Sequence, residues 1–295
     1  MTDLLVKNCL LSKNKDPQDI LIKGGVVKDI ASKIKADNLP IIDADFHFVT
    51  PPFVDSHFHM DATLSYGLPR VNKSGTLLEG IKLWGELKPN LTADAIKERA
   101  LKFCKWAIAR GTLAIRSHVD VSEQNLVGVE ALLDVRETMK DFIDIQLVAF
   151  PQDGLLRANC LDNLNTALDM GVDVVGGIPH FERTMEEGHE SIRILCEIAE
   201  KRGLLTDLHC DETDDPMSRH VEKLALETTR LGLKGRVAGS HLTSMHSIDN
   251  YYFTKLISLL VEADLNIIAN PLINITIQGR QDSYPKRRGL TRIPE

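Results

Sequence analysis

The sequence contains few cysteines, and they do not form the pattern of a disulfide framework. The five cysteines are odd in number, are scattered over 295 residues and include no C-x-x-C pair. Small extracellular domains that depend on disulfides are dense in paired cysteines. We therefore expect a protein of a reducing compartment.

The sequence also lacks a long apolar segment and a large basic cluster. No run approaches the roughly 18 to 20 apolar residues that cross a bilayer, and the N-terminus shows no secretory signal pattern. The densest basic run, Lys286-Arg287-Arg288, fits a solvated loop, and the formal net charge is −7. We therefore expect a cytoplasmic protein with no membrane partner and no nucleic-acid partner.

Residues 1–50 differ from the rest of the chain. Short apolar runs at residues 4–6, 20–22, 25–27 and 41–42 are separated by polar residues and glycines, a pattern that predicts small strands joined by turns. Such strands bury little surface by themselves. We predict a first domain over residues 1–50, packed on the next domain or completing a sheet with a distant segment.

From residue 51 onward, apolar β-branched runs alternate with helical stripes. The runs recur about every 30 residues, close to the length of one βα unit, from residue 53 to residue 269. One stripe lies between Thr92 and Gly111, which are suitable cap residues. Constant strand–helix alternation predicts an α/β fold with a parallel sheet, here a TIM barrel over residues 51–295.

The count of predicted strands falls short of a closed barrel. Seven strands are predicted, whereas a closed (β/α)8 barrel has eight. The chain ends with Ile293-Pro294-Glu295, where a proline followed by an acidic residue is typical of the start of a helix. We expect a chain that is truncated before strand eight.

Histidines and carboxylates collect where the predicted strands end. Chemistry in parallel α/β folds lies at these carboxyl ends, and independent core histidines have no reason to gather there. His57 and His59 are two residues apart, so both side chains of a strand face the same way. With His209 they could hold one metal ion and leave a position open for water.

Further polar residues at the strand ends have candidate roles. Glu212 could carry protons between a metal-bound water and a substrate nitrogen, with a loop or cap carboxylate as the alternative. His241 could orient the attacking water, and Asp55 could support a ligand histidine. His118, Asp120 and His180 could either support the metal ligands from behind by contacting them or have a purely structural role, and the two alternatives stay equally open.

Several motifs resemble a known family. DSHFH at residues 55–59 is similar to the metal-dependent amidohydrolase signature. More specific stretches resemble the cytosine deaminase branch of that superfamily: SGTLLEGI at 74–81, VAFPQ at 148–152, HCDE at 209–212, SH at 240–241, ANPL at 269–272 and QGR through YPKRRG at 278–289. The resemblance covers nearly the whole chain.

The resemblance implies a reaction and a set of residue roles. One divalent ion, Fe²⁺ or Zn²⁺, would be held by His57, His59 and His209, and Glu212 would protonate the ring nitrogen beside the attacked carbon. His241 would bond the nucleophilic water. The substrate, a small nucleobase, would be read by Gln152 and enclosed by Leu77 and Phe150. Cytosine would be hydrolysed to uracil and ammonia, and the N-terminal strands would form part of a small β-sandwich.

The sequence also departs from the family pattern. The family's aspartate ligand at the end of strand eight, and its C-terminal sandwich strands, have no counterpart here. An open barrel would expose two strand edges, so we expect low solubility or a homo-oligomer.

Alternatives to cytosine deamination stay open. Related barrels deaminate isocytosine, 5-methylcytosine, creatinine or triazines, and an inactive barrel fragment is the alternative outside enzymes. The small cytidine deaminase fold is excluded because its H-x-E and P-C-x-x-C zinc signature is absent.

Overall fold

A computed structural model describes residues 3–36 and 38–293 of the chain. The chain divides into two compact units, Met1–Phe53 and Val54–Glu295, near the predicted boundary at residue 50. The helix start predicted at Pro294 and Glu295 lies outside the described residues.

The first unit contains one mixed four-stranded sheet with the order β3-β2-β1-β4. Its strands are β1 (Leu4–Cys9), β2 (Gln18–Lys23), β3 (Val26–Ala31) and β4 (Ile41–Asp43). β1 pairs antiparallel to β2 and parallel to β4. Gly24 and Gly25 join β2 to β3 with φ of 59° and 79°, the positive values that a tight two-residue hairpin requires. The four predicted strands are present.

The second unit is built around seven parallel strands of a barrel, with the order β11-β10-β9-β8-β7-β6-β5 in its described residues. The strands are β5 (Phe53–Phe58), β6 (Thr112–Asp120), β7 (Asp144–Phe150), β8 (Val174–Gly177), β9 (Leu205–Cys210), β10 (Val237–His241) and β11 (Asn266–Ile268). Each coincides with a predicted run. The predicted barrel architecture is confirmed, and the parallel direction brings all carboxyl ends to one edge.

Helices connect the barrel strands and cover their outer side. They are α1 (Leu77–Leu87), α2 (Ala93–Ala109), α3 (Val127–Met139), α4 (Cys160–Asp169), α5 (Met185–Arg202), α6 (His220–Arg230), α7 (Asn250–Ala263) and α8 (Pro271–Ile277). α8 begins directly after β11, in a segment for which the sequence analysis predicted no helix. None of the helices within the described ranges has the length and apolar character of a bilayer-crossing segment.

The helix ends follow the predicted cap chemistry. Thr92 adopts an extended backbone and its side chain accepts a hydrogen bond from the Ala95 amide at 3.3 Å. At the other end of α2, Gly111 has φ of 86° and donates its backbone amide to the Ile108 carbonyl at 2.9 Å. The apolar stripe of α2 is anchored by the buried residues Ile96, Ala100 and Cys104, so the cap fixes where a core-packed helix begins.

Removing the Thr92 cap should destabilise the protein. We expect Thr92→Ala to cost about 1 kcal/mol, because one amide at the start of α2 loses its partner. The measurement is the shift of the urea unfolding midpoint. Thr254→Ala is the matched control, since this exposed threonine lies inside α7 and bonds the Asn250 carbonyl. Equal midpoints for the two variants would contradict the capping role.

Candidate active site

Four histidines converge at the carboxyl ends of the barrel strands. His57, His59, His118 and His209 each offer one ring nitrogen, and these four atoms lie within 4.8 Å of one another. They come from β5 or its end, β6 and β9, so the barrel brings together residues as distant in sequence as His59 and His209, which are 150 positions apart. The three predicted ligands therefore lie side by side, and His118 joins them.

Ring nitrogens of this histidine cluster lie close to other ring nitrogens, including one of the neighbouring His241. His59 Nε2 lies 3.0 Å from His209 Nε2, and His57 Nε2 lies 3.1 Å from His241 Nε2. Burial, together with the neighbouring histidines, lowers the pKa of His57, His59 and His209 well below the usual value. The rings are therefore neutral, and neutral imidazole is the form that binds metal.

Hydrogen bonds around His57 fix which of its nitrogens faces the centre. Ser240 Oγ donates to Asp207 Oδ1 at 2.7 Å, so the same hydroxyl oxygen accepts from His57 Nδ1 at 3.1 Å. The Nε2 atom then carries a lone pair. Two nitrogen lone pairs that face each other repel, so a cation or a proton must lie between His57 Nε2 and the neighbouring ring nitrogen.

Unsatisfied atoms support the same interpretation. Neither ring nitrogen of His118, nor Nδ1 of His209, has a hydrogen-bond partner in the described part of the chain. His118 Nε2 lies 3.8 Å from Asp207 Oδ1, which is beyond hydrogen-bond length. Buried polar atoms are normally paired, so these orphaned nitrogens fit a site that binds an ion. Imidazole ligands suit both Fe²⁺ and Zn²⁺.

Asp207 is a site residue that the sequence analysis missed. Its side chain is fully buried and accepts from Arg116 Nη1 at 3.1 Å and from Ser240. It precedes His209 by two residues on β9, so both side chains face the barrel interior. The alternation along this strand was a usable signal for it.

Glu212 lies beside the histidine cluster at the end of β9. It is 5% exposed, accepts from Asn274 Nδ2 at 2.9 Å, and its Oε1 lies 3.0 Å from His241 Nδ1. Burial raises the pKa of its carboxyl to about 8. Glu212 is therefore protonated at neutral pH and can donate a proton.

The neighbouring carboxylate, Asp211, performs the capping role that was the alternative for Glu212. Asp211 accepts from the backbone amides of His220 and Val221 at 3.0 and 2.9 Å, where α6 begins. It also accepts from Ser218 Oγ at 2.7 Å and has φ of 51°. These contacts fix the turn from which Glu212 extends.

His241 occupies a sparsely populated backbone conformation at the end of β10. It has φ of 74° and a 4% exposed side chain, a combination that is common at functional sites. Burial lowers the pKa of its ring to about 3. His241 is therefore neutral and can act as a hydrogen-bond partner of a water or substrate.

A cavity of ≈ 870 Å³ opens over the histidine cluster. Gln152 and Leu77, the residues expected to contact the substrate, line it together with Glu212 and His241. A second cavity of ≈ 780 Å³ lies at the opposite ends of the strands and is lined by none of these residues. The chemistry-bearing groups are thus confined to the carboxyl ends.

Phe150 differs from its predicted place. It is fully buried, stacks on His209 with 4.2 Å between ring centroids, and lies outside the described lining of the cavity. The last residue of β7 packs behind the metal-facing ring instead of touching the substrate space.

Two predicted residues, Asp55 and Asp120, bond groups other than the imidazoles of the predicted ligands. Asp55 accepts from the backbone amide of His57 at 3.2 Å rather than from an imidazole. Asp120 accepts from Trp84 Nε1 at 2.6 Å and from Lys88 at 3.3 Å. These contacts hold the end of α1.

His180 supports the backbone of a predicted ligand. Its Nδ1 lies 3.1 Å from the His209 carbonyl oxygen. Burial lowers the pKa of His180 to about 4, so a neutral Nδ1–H donates to this carbonyl. Its contact is with the main chain of β9.

Comparisons with known proteins give consistent results. A family model described as the amidohydrolase family matches residues 40–295. N-isopropylammelide isopropyl amidohydrolase of Pseudomonas sp. strain ADP is 31% identical over 279 residues, covering 90% of this chain and 67% of the relative. Pterin deaminase of Rhizobium rhizogenes is 29% identical, covering 94% of this chain and 64% of the relative.

One solved structure is similar over nearly the whole chain. It is 5-methylcytosine deaminase from Klebsiella pneumoniae, liganded with 5-fluorocytosine. It matches with a TM-score of 0.95 and 40% identity over 98% of this chain and 71% of that one. The chain thus spans roughly two thirds of the length of these proteins.

Proposed function

Because the chain belongs to the amidohydrolase family, we propose that it hydrolytically deaminates cytosine or a close pyrimidine analogue, giving the corresponding oxo base and ammonia. The observation that carries the proposal is the buried Glu212 beside the histidine cluster, where burial raises the pKa of its carboxyl to about 8. The 40% identical structure that is a 5-methylcytosine deaminase supports the same substrate class.

The histidine cluster is proposed to hold one divalent ion, Fe²⁺ or Zn²⁺. His57, His59 and His209 would be the ligands, and the orphaned nitrogens of His118 make it a further candidate. When bound, the ion supplies a water of lowered pKa as the nucleophile near neutral pH.

The protein's own side chains move the protons. Glu212 donates its proton to the ring nitrogen beside the attacked carbon, which makes that carbon more electrophilic. The resulting carboxylate takes the proton released by the attacking water and passes it to the amino group. The C–N bond then breaks and ammonia leaves, while the new hydroxyl becomes the carbonyl and returns its proton to Glu212. One water is consumed and one ammonia is released.

The remaining groups orient the reactants. The carboxamide of Gln152 has both a donor and an acceptor, which complements the amide edge of a pyrimidine. His241, neutral and buried, bonds the attacking water through its Nε2 lone pair. Leu77 supplies an apolar wall of the cavity.

The activity should fall on the alkaline side near the pKa of Glu212. A carboxyl with its pKa raised to about 8 keeps its proton below that pH and loses it above. The proton donor is therefore lost as pH rises through 8. We expect kcat/KM to fall about tenfold for each further pH unit. Initial rates from neutral to strongly alkaline pH measure this, and a profile with no alkaline fall would contradict the role.

A panel of bases tests the substrate class. Ammonia release is measured with cytosine, 5-methylcytosine, isocytosine, creatinine and a triazine as alternative substrates of the metal-loaded protein. We expect the highest kcat/KM for cytosine or 5-methylcytosine. A preference for creatinine or a triazine would move the proposal to another ring, and no release from any base would favour an inactive barrel.

Self-association and a cytoplasmic location stay predictions, and deamination of a pyrimidine base would place the protein in pyrimidine salvage. An apolar edge supports self-association, since Val54 on β5, at one end of the barrel strand order, is 68% exposed. The net charge of −7 supports a small-molecule substrate over a nucleic acid.

A further inference from the structure

We propose that Asn274 is a positioning residue of this site, whose carboxamide joins His241 to Glu212 and sets which atom of each faces the cavity. The proposal rests on the function proposed above for these two side chains. Asn274 lies on α8, far in sequence from both partners, and it was not singled out by the sequence motifs.

The carboxamide contacts both side chains at once. Asn274 Nδ2 donates to Glu212 Oε1 at 2.9 Å, and Asn274 Oδ1 lies 3.2 Å from His241 Nδ1. The side chain is 1% exposed, so water does not compete for these bonds. An amide offers donors on one atom and an acceptor on the other, which is what two different partners need.

The first bond selects the tautomer of His241. His241 Nδ1 faces two oxygens, Asn274 Oδ1 at 3.2 Å and Glu212 Oε1 at 3.0 Å, and has one longer contact to Asn270 Nδ2 at 3.4 Å. An amide carbonyl oxygen only accepts, so His241 Nδ1 carries the proton that it directs at these oxygens. Its Nε2 atom is then unprotonated and presents a lone pair towards the barrel centre, 3.1 Å from His57 Nε2. That lone pair can accept a hydrogen bond from the attacking water.

The second bond selects the oxygen of Glu212 that donates. An amide nitrogen only donates, so Glu212 Oε1 must remain an acceptor towards Asn274 and His241. The proton of the neutral carboxyl is therefore placed on Oε2. In this arrangement Oε1 accepts hydrogen bonds from the protein, and Oε2 is the oxygen that exchanges protons with the substrate.

The packing of α8 does not explain a buried asparagine. Asn274 is the one buried residue of this helix, all of whose residues are described, while Leu272 and Ile273 are 84% and 48% exposed. A helix held only by packing would bury its apolar side chains and leave the amide in solvent. The polar residue is buried because its partners are there.

The residues that follow α8 are hydrogen-bonded to the loops after β9 and β10, the strands that end near Glu212 and His241. Gln278 Nε2 donates to Thr243 Oγ1 at 3.2 Å in the loop after β10. Gly279 donates its backbone amide to Asp214 Oδ2 at 2.8 Å in the loop after β9. These contacts hold the helix against the loops that follow Glu212 and His241, so Asn274 has a fixed position.

Asn274→Asp separates the two bonds with little change of shape. The aspartate keeps an acceptor for His241 but has no donor for Glu212, and it places a second carboxylate against it. We expect kcat/KM to fall about 10- to 100-fold, the usual effect of losing a group that orients a catalytic residue. The fall should be in kcat rather than KM. The alkaline limb should move to higher pH, because a like charge raises the pKa of Glu212.

Thr276→Ala is the matched control on the same helix. Thr276 is exposed and bonds the Leu272 carbonyl, so its loss should leave kcat/KM and the pH profile unchanged. A purely structural role for Asn274 would lower the melting temperature and leave the alkaline limb in place. That result, or kcat/KM within about twofold of wild type for Asn274→Asp, would overturn the proposal.

A second readout does not depend on turnover. Long-range nitrogen–proton NMR of the zinc-loaded protein with labelled histidine reports the tautomer of His241, assigned by its loss in His241→Gln. We expect an Nδ1–H ring in wild type and a changed tautomer population in Asn274→Ala. An unchanged ring would overturn the proposal. If no base is deaminated, the proposed function fails, and this spectrum still decides the role of Asn274.

Discussion

Replacing Glu212 by glutamine should abolish most of the deaminase activity while leaving the fold and the metal content unchanged. Glutamine keeps an acceptor for Asn274 Nδ2 and nearly the same volume, but it has no proton to transfer. General acid–base groups contribute about 10²- to 10⁴-fold, and we expect a loss of kcat in that range. Ammonia release from cytosine, with metal content measured in parallel, tests this.

The control for that experiment is another buried glutamate. Glu182 is 8% exposed, burial also raises the pKa of its carboxyl, and it accepts from the Leu156 amide at 3.2 Å. Glu182→Gln should retain activity within about twofold, because this carboxyl has a raised pKa but no place in the proposed proton path. Equal activities for Glu212→Gln and wild type would show that another group transfers the proton.

His209→Gln should remove the metal ion and the activity together. His209 contributes the nitrogen 3.0 Å from His59 Nε2, and its ring has no substitute on β9. Mutation of a group that hydrogen-bonds a metal ligand typically lowers metal affinity about 10- to 100-fold. Loss of a ligand itself should therefore lower the affinity more than about 100-fold. Competition with a chromogenic chelator measures the affinity for Zn²⁺.

Two further variants make the metal experiment specific. His246→Gln changes an exposed histidine of the neighbouring loop and should leave affinity unchanged. His118→Gln tests whether the fourth member of the histidine cluster is also a ligand, in which case its affinity falls as far as that of His209→Gln. Wild-type affinity in His209→Gln would contradict the assignment of this histidine.

Local sequence was sufficient to predict the barrel strands and several of the site residues. The β-branched runs in β7 and β8 are largely buried segments of parallel sheet, and such segments are nearly continuously apolar. The strands run parallel, so their carboxyl ends lie at one edge of the sheet. The polar residues at those ends, His57, His59, His209 and Glu212, could therefore be grouped from the sequence.

The parts that sequence did not predict depend on long-range packing. Asn274 is 62 residues from Glu212, and its helix α8 has seven residues, too few for a helical periodicity to be recognised. The family resemblance implied that Phe150 encloses the substrate, but its fully buried ring stacks on His209 instead. Asp55 and Asp120 carry carboxylates at the right positions along the chain, and the geometry directs them to backbone and helix contacts.

The central claim is that the histidine cluster and Glu212 together hydrolyse the exocyclic C–N bond of a cytosine-type base. The most direct test is to follow uracil and ammonia formation from cytosine by the zinc-loaded or iron-loaded protein, before and after removal of the ion by a chelator. The account predicts equal amounts of uracil and ammonia, and a loss of both on chelation that is restored by adding the ion back. Metal bound at the histidines with no product from cytosine or 5-methylcytosine would contradict it.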